Sequence, residues 1–277
     1  MSGFDASWLD LREPADHRSR NEELSRLLTR HLGSRASIDV LDLGCGTGSN
    51  LRATAPLLGS EQNWTLIDYD ARLLDAAVTR LAQWAGDWQR KNDMLILKKG
   101  GKTITVRFRR ADLVADFESV FATPADLVTG SALFDLASGD FIAEVAAEVA
   151  RRRAAFYTVL TYNGVQRWTP KHPVDAEMAA AFRAHQVTDK GFGPAAGPMA
   201  PQLLAAAFDA AGYSLSEADS TWRLEAGDEE LIAQLVPGFV SAVRETSTVP
   251  ENKVEAWLKM ERIEALVGHT DTLALAA

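Results

Sequence analysis

The sequence predicts an α/β fold in which a mostly parallel sheet is covered by helices on both faces. Two observations lead to this prediction. Through the first 164 residues, short apolar runs rich in β-branched residues alternate with segments of helical periodicity, which is the order of a parallel sheet with crossover helices. The composition, with 47% hydrophobic and 24% charged residues, is also that of a globular protein able to cover such a sheet.

The elements of this first part follow from local signals. A helix is predicted over 14–33, entering after Pro14 and ending at Gly33. The segments 36–43 and 63–70 are apolar and β-branched enough to be buried strands. In order, the other predicted elements are a helix from Ser49, a helix over 71–91 capped by Asp70, a hairpin over 93–113 turned at Gly100–Gly101, a strand over 125–133, a helix over 138–153 and a strand over 154–164.

The alternation breaks at Val165. Residues 165–198 are rich in proline, glycine, histidine and aromatic residues, which is typical of loops, and we interpret them as a substrate lid. Beyond them we predict a helix over 198–213, a strand over 214–224, helices over 227–245 and 251–267 divided by Pro250, and a last strand over 269–277. The chain is expected to form one domain over 1–277, made of a helical cover (1–34), a cofactor-binding core (35–164), the lid (165–198) and a C-terminal part (199–277) with a helical insertion (227–267).

Charge and cysteine content narrow the classes of function. With 38 acidic and 29 basic residues the net charge is −9, which argues against nucleic acid as a partner. The six bases within 98–110 are interpreted as protection of an edge strand against pairing. The one cysteine, Cys45, excludes an internal disulfide and favours a reducing compartment. A start without an apolar leader, and the absence of a run of about 20 apolar residues, predict a cytoplasmic protein that does not enter membranes.

The stretch with the clearest functional signal is IDVLDLGCGTGSN, residues 38–50. A glycine turn between a strand and a helix places a ligand at the carboxyl ends of the strands. The G-x-G-x-x-G spacing of dinucleotide sites is broken, because Ser49 stands where the third glycine belongs. Asp42 would in addition repel a pyrophosphate, whereas it favours a ligand that carries positive charge. A nucleoside joined to a sulfonium and an ammonium group meets this requirement.

The segment DLGCGTG resembles the first motif of the class I S-adenosylmethionine-dependent methyltransferases, acid-x-Gly-x-Gly-x-Gly, at every defined position. The resemblance implies a Rossmann-like three-layer sandwich, with a seven-stranded sheet in which one strand is antiparallel, and S-adenosylmethionine as cofactor. It implies that Asp112 and Leu113 contact the adenine, while Asp68, which ends the second strand, is suited to accept the ribose hydroxyls. The residues assigned to the cofactor are Asp42, Gly44, Cys45, Gly46, Asp68, Tyr69, Asp112, Leu113, Ser131 and, through the cofactor's carboxylate, Arg20.

Candidates for the methyl-acceptor site lie where the alternation breaks. The strand over 154–164 ends with Tyr162 and Asn163, and the segment after it carries the bases, aromatic rings and histidines suited to a polar or anionic small molecule. Some acceptors need a base to remove a proton, and the candidates for this catalytic role are His185, His172 and Tyr162. The residues assigned to the substrate are Asn163, Arg167, Trp168, Lys190, Phe192 and, from the N-terminal segment, Trp8. No motif for a metal ion is present.

The leading hypothesis is a methyltransferase (EC 2.1.1.-) that acts by in-line displacement on O or N of a small polar metabolite, including an anionic one, as a monomer or a homodimer. A nicotinamide-linked reductase is disfavoured by Ser49 and Asp42. A non-catalytic protein that only binds S-adenosylmethionine is a third hypothesis. A fourth is an aminopropyl transferase that uses a decarboxylated donor; it is disfavoured because such enzymes place acids around the acceptor amine, whereas 165–192 is basic.

Overall fold

The structure, a computed structural model, describes residues 5–276. Within this range the strands are β1 (Ser37–Leu43), β2 (Glu61–Asp68), β3 (Asp87–Lys91), β4 (Met94–Lys99), β5 (Lys102–Arg110), β6 (Leu127–Ser131), β7 (Ala155–Thr169), β8 (Tyr213–Asp219), β9 (Trp222–Leu224) and β10 (Glu264–Ala276). The helices are α1 (Ala6–Ser19), α2 (Glu22–Leu32), α3 (Ser49–Thr54), α4 (Ala71–Ala85), α5 (Phe117–Phe121), α6 (Gly139–Arg152), α7 (Asp175–Gln186), α8 (Ala200–Ala210), α9 (Glu229–Thr246) and α10 (Glu251–Leu258).

All described strands belong to one sheet, in the order β3-β4-β5-β2-β1-β6-β7-β10-β8, with β9 also paired to β10. The five central strands from β5 to β7 are parallel. β10 runs antiparallel between β7 and β8, so the predicted mostly parallel sheet with an inserted antiparallel strand is confirmed. The described residues contain ten strands rather than the seven expected, because β3 and β4 extend the sheet beyond β5 and the short β9 is separate from β8.

The alternation of side chains along the central strands fills a core on each face of the sheet. In β1, Ile38 and Val40 belong to one apolar cluster, whereas Leu41 and Leu43 belong to the other. The first cluster also receives residues of α2, α4 and α9, and the second receives residues of α6 and α8. Because both faces of the central strands are buried, the sequences of these strands are almost continuously apolar.

Two helix predictions near the N-terminus are wrong in their boundaries. The helix predicted over 14–33 is two helices, and Pro14 lies inside α1 instead of preceding a helix. The division falls at Asn21, whose side chain accepts the backbone N–H groups of Glu23 and Leu24 and so starts α2 as its N-cap.

The helix predicted over 71–91 ends at Ala85. Gly86 has a φ of +76°, which ends the helix, and the next five residues form β3. β3 is fully exposed and lies at the edge of the sheet, paired to β4 through a turn at Asn92 with a φ of +57°. Its sequence shows no apolar alternation because neither of its faces is buried. The prediction that the basic hairpin over 98–110 guards the edge of the sheet is therefore wrong, since β3 occupies that place.

The segment predicted as a loop-like lid, 165–198, is in part regular structure. β7 continues through Thr169, where it pairs with the first residues of β10. Residues 175–186 form α7. The helix predicted over 251–267 ends at Leu258, because 264–267 are needed as the start of β10. These pairings join residues about 100 positions apart, which local composition does not reveal.

Candidate functional site

The glycine loop lies between β1 and α3, at the carboxyl end of the sheet. Gly44 and Gly46 have φ angles of +62° and +54°, which residues with a side chain rarely adopt. A Cβ on Gly44 would lie 3.1 Å from Cδ1 of Leu133, and a Cβ on Gly46 would lie 3.1 Å from Cδ1 of Leu9. Conformation and space therefore both require glycine at these positions.

Asp42 lies behind the loop and has no exposed surface. Its Oδ1 accepts a hydrogen bond of 2.7 Å from Asn50 Nδ2, whereas its Oδ2 has no partner among the described residues. Burial raises the pKa of this carboxyl to about 7, against the opposing hydrogen bond of Asn50. The guanidinium of Arg20 donates to Asn50 Oδ1 and to Thr54, so the structure places Arg20 in the same network.

Asp68 ends β2 beside the glycine loop. Its Oδ2 accepts the backbone N–H of Gly46 at 2.8 Å, and its Oδ1 accepts that of Asp70 at 2.9 Å. The carboxylate therefore joins the loop to the second strand, and burial raises its pKa. The next residue, Tyr69, exposes 57% of its surface, and the guanidinium carbon of Arg110 lies 5.8 Å from the centre of its ring.

The other predicted cofactor residues follow neighbouring strands. After β5, Asp112 uses Oδ1 to accept the backbone N–H groups of Val114 and Ala115, and Leu113 is buried. Ser131 is the last residue of β6. Cys45 is buried, and burial raises the pKa of its thiol, so its contribution to the loop is that of its backbone, which bonds β2.

The first helix covers this loop. Leu9 contacts the Gly46 position, and Nε2 of His17 lies 2.9 Å from Oγ of Ser49, at the start of α3. Two surface cavities lie elsewhere: one of about 670 Å³ lies between α5 and α6, and one of about 360 Å³ lies at the Gly100–Gly101 turn. At the glycine loop itself, the contact of Leu9 with Gly46 and that of His17 with Ser49 place α1 over part of the loop.

Among the predicted acceptor residues, Tyr162 lies near His269, a buried histidine of β10. It is buried on β7, and the centre of its ring is 6.4 Å from that of His269 on β10. Asn163 faces β10 instead, donating to Thr270 at 3.3 Å. Trp8 on α1 packs against the first core, and Phe192 packs edge-on to a ring of α6, 4.9 Å between centroids.

The remaining acceptor candidates have their contacts elsewhere. Trp168 packs in an aromatic cluster with Phe239 and Trp257, and Arg167 is exposed on the same strand. His172 closes a turn at the start of α7, where its Nδ1 accepts a backbone N–H. His185 joins α7 to α9 through a hydrogen bond between its Nε2 and Glu245 at 3.0 Å, and Nζ of Lys190 lies 3.4 Å from its Nδ1. None of these contacts involves the glycine loop.

Sequence reasoning missed a buried polar group beside the loop, which we call the Asp135 cluster. Its members are Arg12 of α1, Asp135 after β6, Tyr162 of β7, Trp222 of β9 and His269 of β10. Asp135 is only 8% exposed and His269 only 6%. The one available signal was an isolated acid in the apolar stretch SALFDLA, two residues beyond Leu133.

Asp271 is a second missed residue, and it shapes β7. Its Oδ1 accepts the N–H of Leu160 at 2.8 Å, and Leu160 has a φ of +59°, unusual for a branched residue. The register between β7 and β10 shifts at this point, between Thr270 and Thr272, and also between Val267 and His269. Such an irregularity redirects the side chains that follow it, here Tyr162 and Asn163.

Comparison with known proteins agrees with this geometry. Residues 40–155 match the family model described as a methyltransferase domain. The segment is thus similar to methyltransferase domains over 116 of the 277 residues. A search of curated proteins gives no match to the chain. In the part of the chain that the structure describes, no helix has the length and hydrophobicity to span a bilayer, and no three side chains of His, Cys, Asp or Glu are grouped to bind a metal.

Solved structures share the fold of this methyltransferase domain and its flanking segments. A cyclopropane-fatty-acyl-phospholipid synthase-like protein from Lactobacillus casei has a TM-score of 0.56 and 15% identity, over 96% of this chain and 92% of that one. A cyclopropane synthase from Mycobacterium tuberculosis has a TM-score of 0.46 and 13% identity, over 91% and 83%. Precorrin-6y C5,15-methyltransferase from Geobacter metallireducens has a TM-score of 0.45 and 11% identity, over 93% and 88%. The likeness to the Lactobacillus casei protein shows the fold alone and leaves the substrate open.

Proposed function

We propose that the protein is an S-adenosylmethionine-dependent methyltransferase (EC 2.1.1.-) that acts on O or N of a small polar metabolite in the cytoplasm. The observation that carries the proposal is the joint between Asp68 and Gly46. It holds a carboxylate at the end of the second strand against a loop whose glycines have little room for side chains of their own. A carboxylate in this position is suited to accept the two neighbouring hydroxyls of a ribose.

The residues around the loop fit this cofactor in their chemistry. When bound, S-adenosylmethionine supplies a methyl group made electrophilic by its sulfonium. Leu113 and the exposed ring of Tyr69 offer apolar surface to a purine. Asp42 supplies negative charge when it is ionised. Its Oδ2 is buried without a hydrogen-bond partner among the described residues, and a cationic ligand would offset the free-energy cost of burying it. Leu9 and His17 of α1 contact the loop and the start of α3, so α1 would lie beside a ligand bound there.

Two features support a small molecule over a nucleic acid as the acceptor. The net charge of −9 opposes the binding of a polyanion. The basic hairpin is also engaged with its own protein: Lys99 bonds a carbonyl of α4, Lys102 bonds that of Leu58, and Arg109 bonds Ser119. An anionic acceptor has less support than the sequence suggested, because Arg167 and Lys190 do not meet at the site.

Calorimetry with S-adenosylmethionine, S-adenosylhomocysteine and NADH tests the proposal. We expect micromolar binding of the first two and none of NADH. Asp68→Asn should weaken S-adenosylhomocysteine binding by about 10- to 100-fold, because hydrogen bonds to a charged group contribute about 1.5–3 kcal/mol. The matched control is Asp70→Asn, since Asp70 caps α4 through its side chain and asparagine caps equally well. Binding of NADH without binding of the other two ligands would contradict the proposal.

Transfer itself is tested by incubating the protein with methyl-labelled S-adenosylmethionine and a polar metabolite extract. Label should appear in a small product and be lost with Asp68→Asn. Cofactor binding with no transfer to any component would favour a non-catalytic binding protein.

A further inference from the structure

Two polar atoms of the Asp135 cluster are buried without a partner in the described structure. They are Oδ1 of Asp135 and Nδ1 of His269. Buried polar atoms nearly always have a hydrogen-bond partner, and one left without costs about 1–3 kcal/mol. Two of them in one cluster indicate a place for a ligand.

The cluster is assembled from elements that meet only in the folded chain. The guanidinium of Arg12 lies 4.9 Å from the centre of the Trp222 ring, and the Trp222 and His269 rings are 5.3 Å apart. The charge of Arg12 acts on both Asp135 and His269, and the charge of Asp135 acts on Tyr162. Five separate elements therefore surround the two partnerless atoms.

The Asp135 cluster lies next to the glycine loop. Leu133 contacts the Gly44 position, and Asp135 follows two residues later. From the other side, α1 contributes both Leu9 over Gly46 and Arg12 in the cluster. A molecule held by the cluster is thus next to a molecule held by the loop.

The partnerless oxygen of Asp135 is a hydrogen-bond acceptor. Burial raises the pKa of Asp135 to about 6, so its carboxyl is mostly ionised at neutral pH. Burial and the charge of Arg12 lower the pKa of His269 to about 3, so the ring is neutral and one nitrogen accepts while the other donates. With the ring proton on Nε2, the partnerless Nδ1 is an acceptor as well. A ligand that brings hydrogen-bond donors satisfies both atoms in this tautomer.

The positive charge near the cluster does not reverse this preference. Arg12 forms a two-point ion pair with Asp16, at 2.9 and 3.1 Å, and Asp16 also accepts from the indole of Trp222. Its charge is therefore largely compensated.

The charge of Arg183 also acts on Tyr162, but Arg183 is exposed to solvent, which screens it. Asp135 therefore carries the buried charge of the cluster that has no ion-pair partner within the described part of the chain.

We infer that the Asp135 cluster is the methyl-acceptor site, and that it binds the acceptor through an amine or hydroxyl group that donates to Asp135 and His269. This inference rests on the proposed function and adds the class of substrate, a small amine or alcohol as opposed to a carboxylic acid. Asp135 and His269 are substrate-binding residues in this scheme.

The test uses cofactor analogues in which nitrogen replaces the sulfonium and carries a short arm. Three arms are compared by calorimetry: 2-aminoethyl, 2-hydroxyethyl and carboxymethyl. We expect the wild type to bind the first two at least tenfold more tightly than the third, because their arms supply donors to the cluster. Asp135→Asn should reduce this preference to within threefold and leave the affinity for S-adenosylhomocysteine, which has no arm, within twofold. Asp209→Asn, on an exposed position of α8, is the matched control and should change neither.

The outcomes separate the two proposals. If S-adenosylhomocysteine does not bind the wild type, the proposed function is wrong and the inference falls with it. If it binds but the carboxymethyl arm is preferred or equal, only the acceptor site is wrong, and this comparison needs no variant. A preference that survives unchanged in Asp135→Asn would also overturn the inference.

Discussion

Replacing Asp42 with asparagine should stabilise the protein, although we propose the residue as part of the cofactor site. The carboxyl is fully buried, and only one of its oxygens has a partner. Asparagine has nearly the same shape, its Oδ1 can keep the bond from Asn50, and its neutral amide avoids burying a charge. The substitution therefore removes a cost and creates no cavity.

The size of the gain follows from proton linkage. The pKa of Asp42 rises from an ordinary value of about 4 to about 7 in the folded protein. Between these values the folded state binds the proton more tightly than the unfolded state, so stability falls as pH rises through this range. Because one pH unit corresponds to about 1.36 kcal/mol, the ionised carboxyl costs about 4 kcal/mol above pH 7 as an upper estimate, and less than about 1 kcal/mol at pH 4.

Urea unfolding of wild type and Asp42→Asn at pH 8 and pH 4 checks this reasoning. The free energy of unfolding should be higher for the variant by a few kcal/mol at pH 8, and the two proteins should be nearly equal at pH 4. Other buried acids titrate in both proteins and cancel in the difference. Equal stability at pH 8, or the same gain at both pH values, would refute the assignment of a buried, strained carboxyl. We expect the stabilised variant to bind S-adenosylmethionine more weakly, a trade between stability and function.

Two further substitutions separate residues of the site from residues of the core. Gly46→Ala should weaken S-adenosylhomocysteine binding at least tenfold. The φ of +54° is unfavourable for alanine, and the added Cβ would lie 3.1 Å from Cδ1 of Leu9. Unchanged affinity would contradict the described loop. Trp168→Ala should lower the free energy of unfolding by about 3–5 kcal/mol in urea titration, because it leaves a cavity between Phe239 and Trp257. The same variant should bind S-adenosylhomocysteine as the wild type does, and a loss of binding at full stability would restore Trp168 to the substrate site.

The sequence correctly predicted the parts of the fold that depend on local signals. The strand–glycine–helix turn at 38–50, the Gly100–Gly101 hairpin and the helix capped by Ser138 are all found in the structure. β3 and the end of β7 were missed, because their pairing partners, and not their own composition, make them strands. A strand with both faces exposed carries no apolar period for a sequence pattern to show.

The candidate site divides in the same way. The cofactor half could be predicted because Asp42, the glycines and Asp68 each stand at the end of a strand, and parallel strands bring their carboxyl ends to one edge. The acceptor half could not, because Arg12, Asp135 and His269 are separated by more than 100 residues each and none belongs to a motif. Their meeting depends on the antiparallel insertion of β10 and on the placement of α1 over the loop. By itself the sequence determined the parallel sheet and the glycine loop, and it led to the proposed ligand of that loop. Only the tertiary structure decided which distant polar groups are buried together, because their burial depends on contacts between elements far apart in the chain.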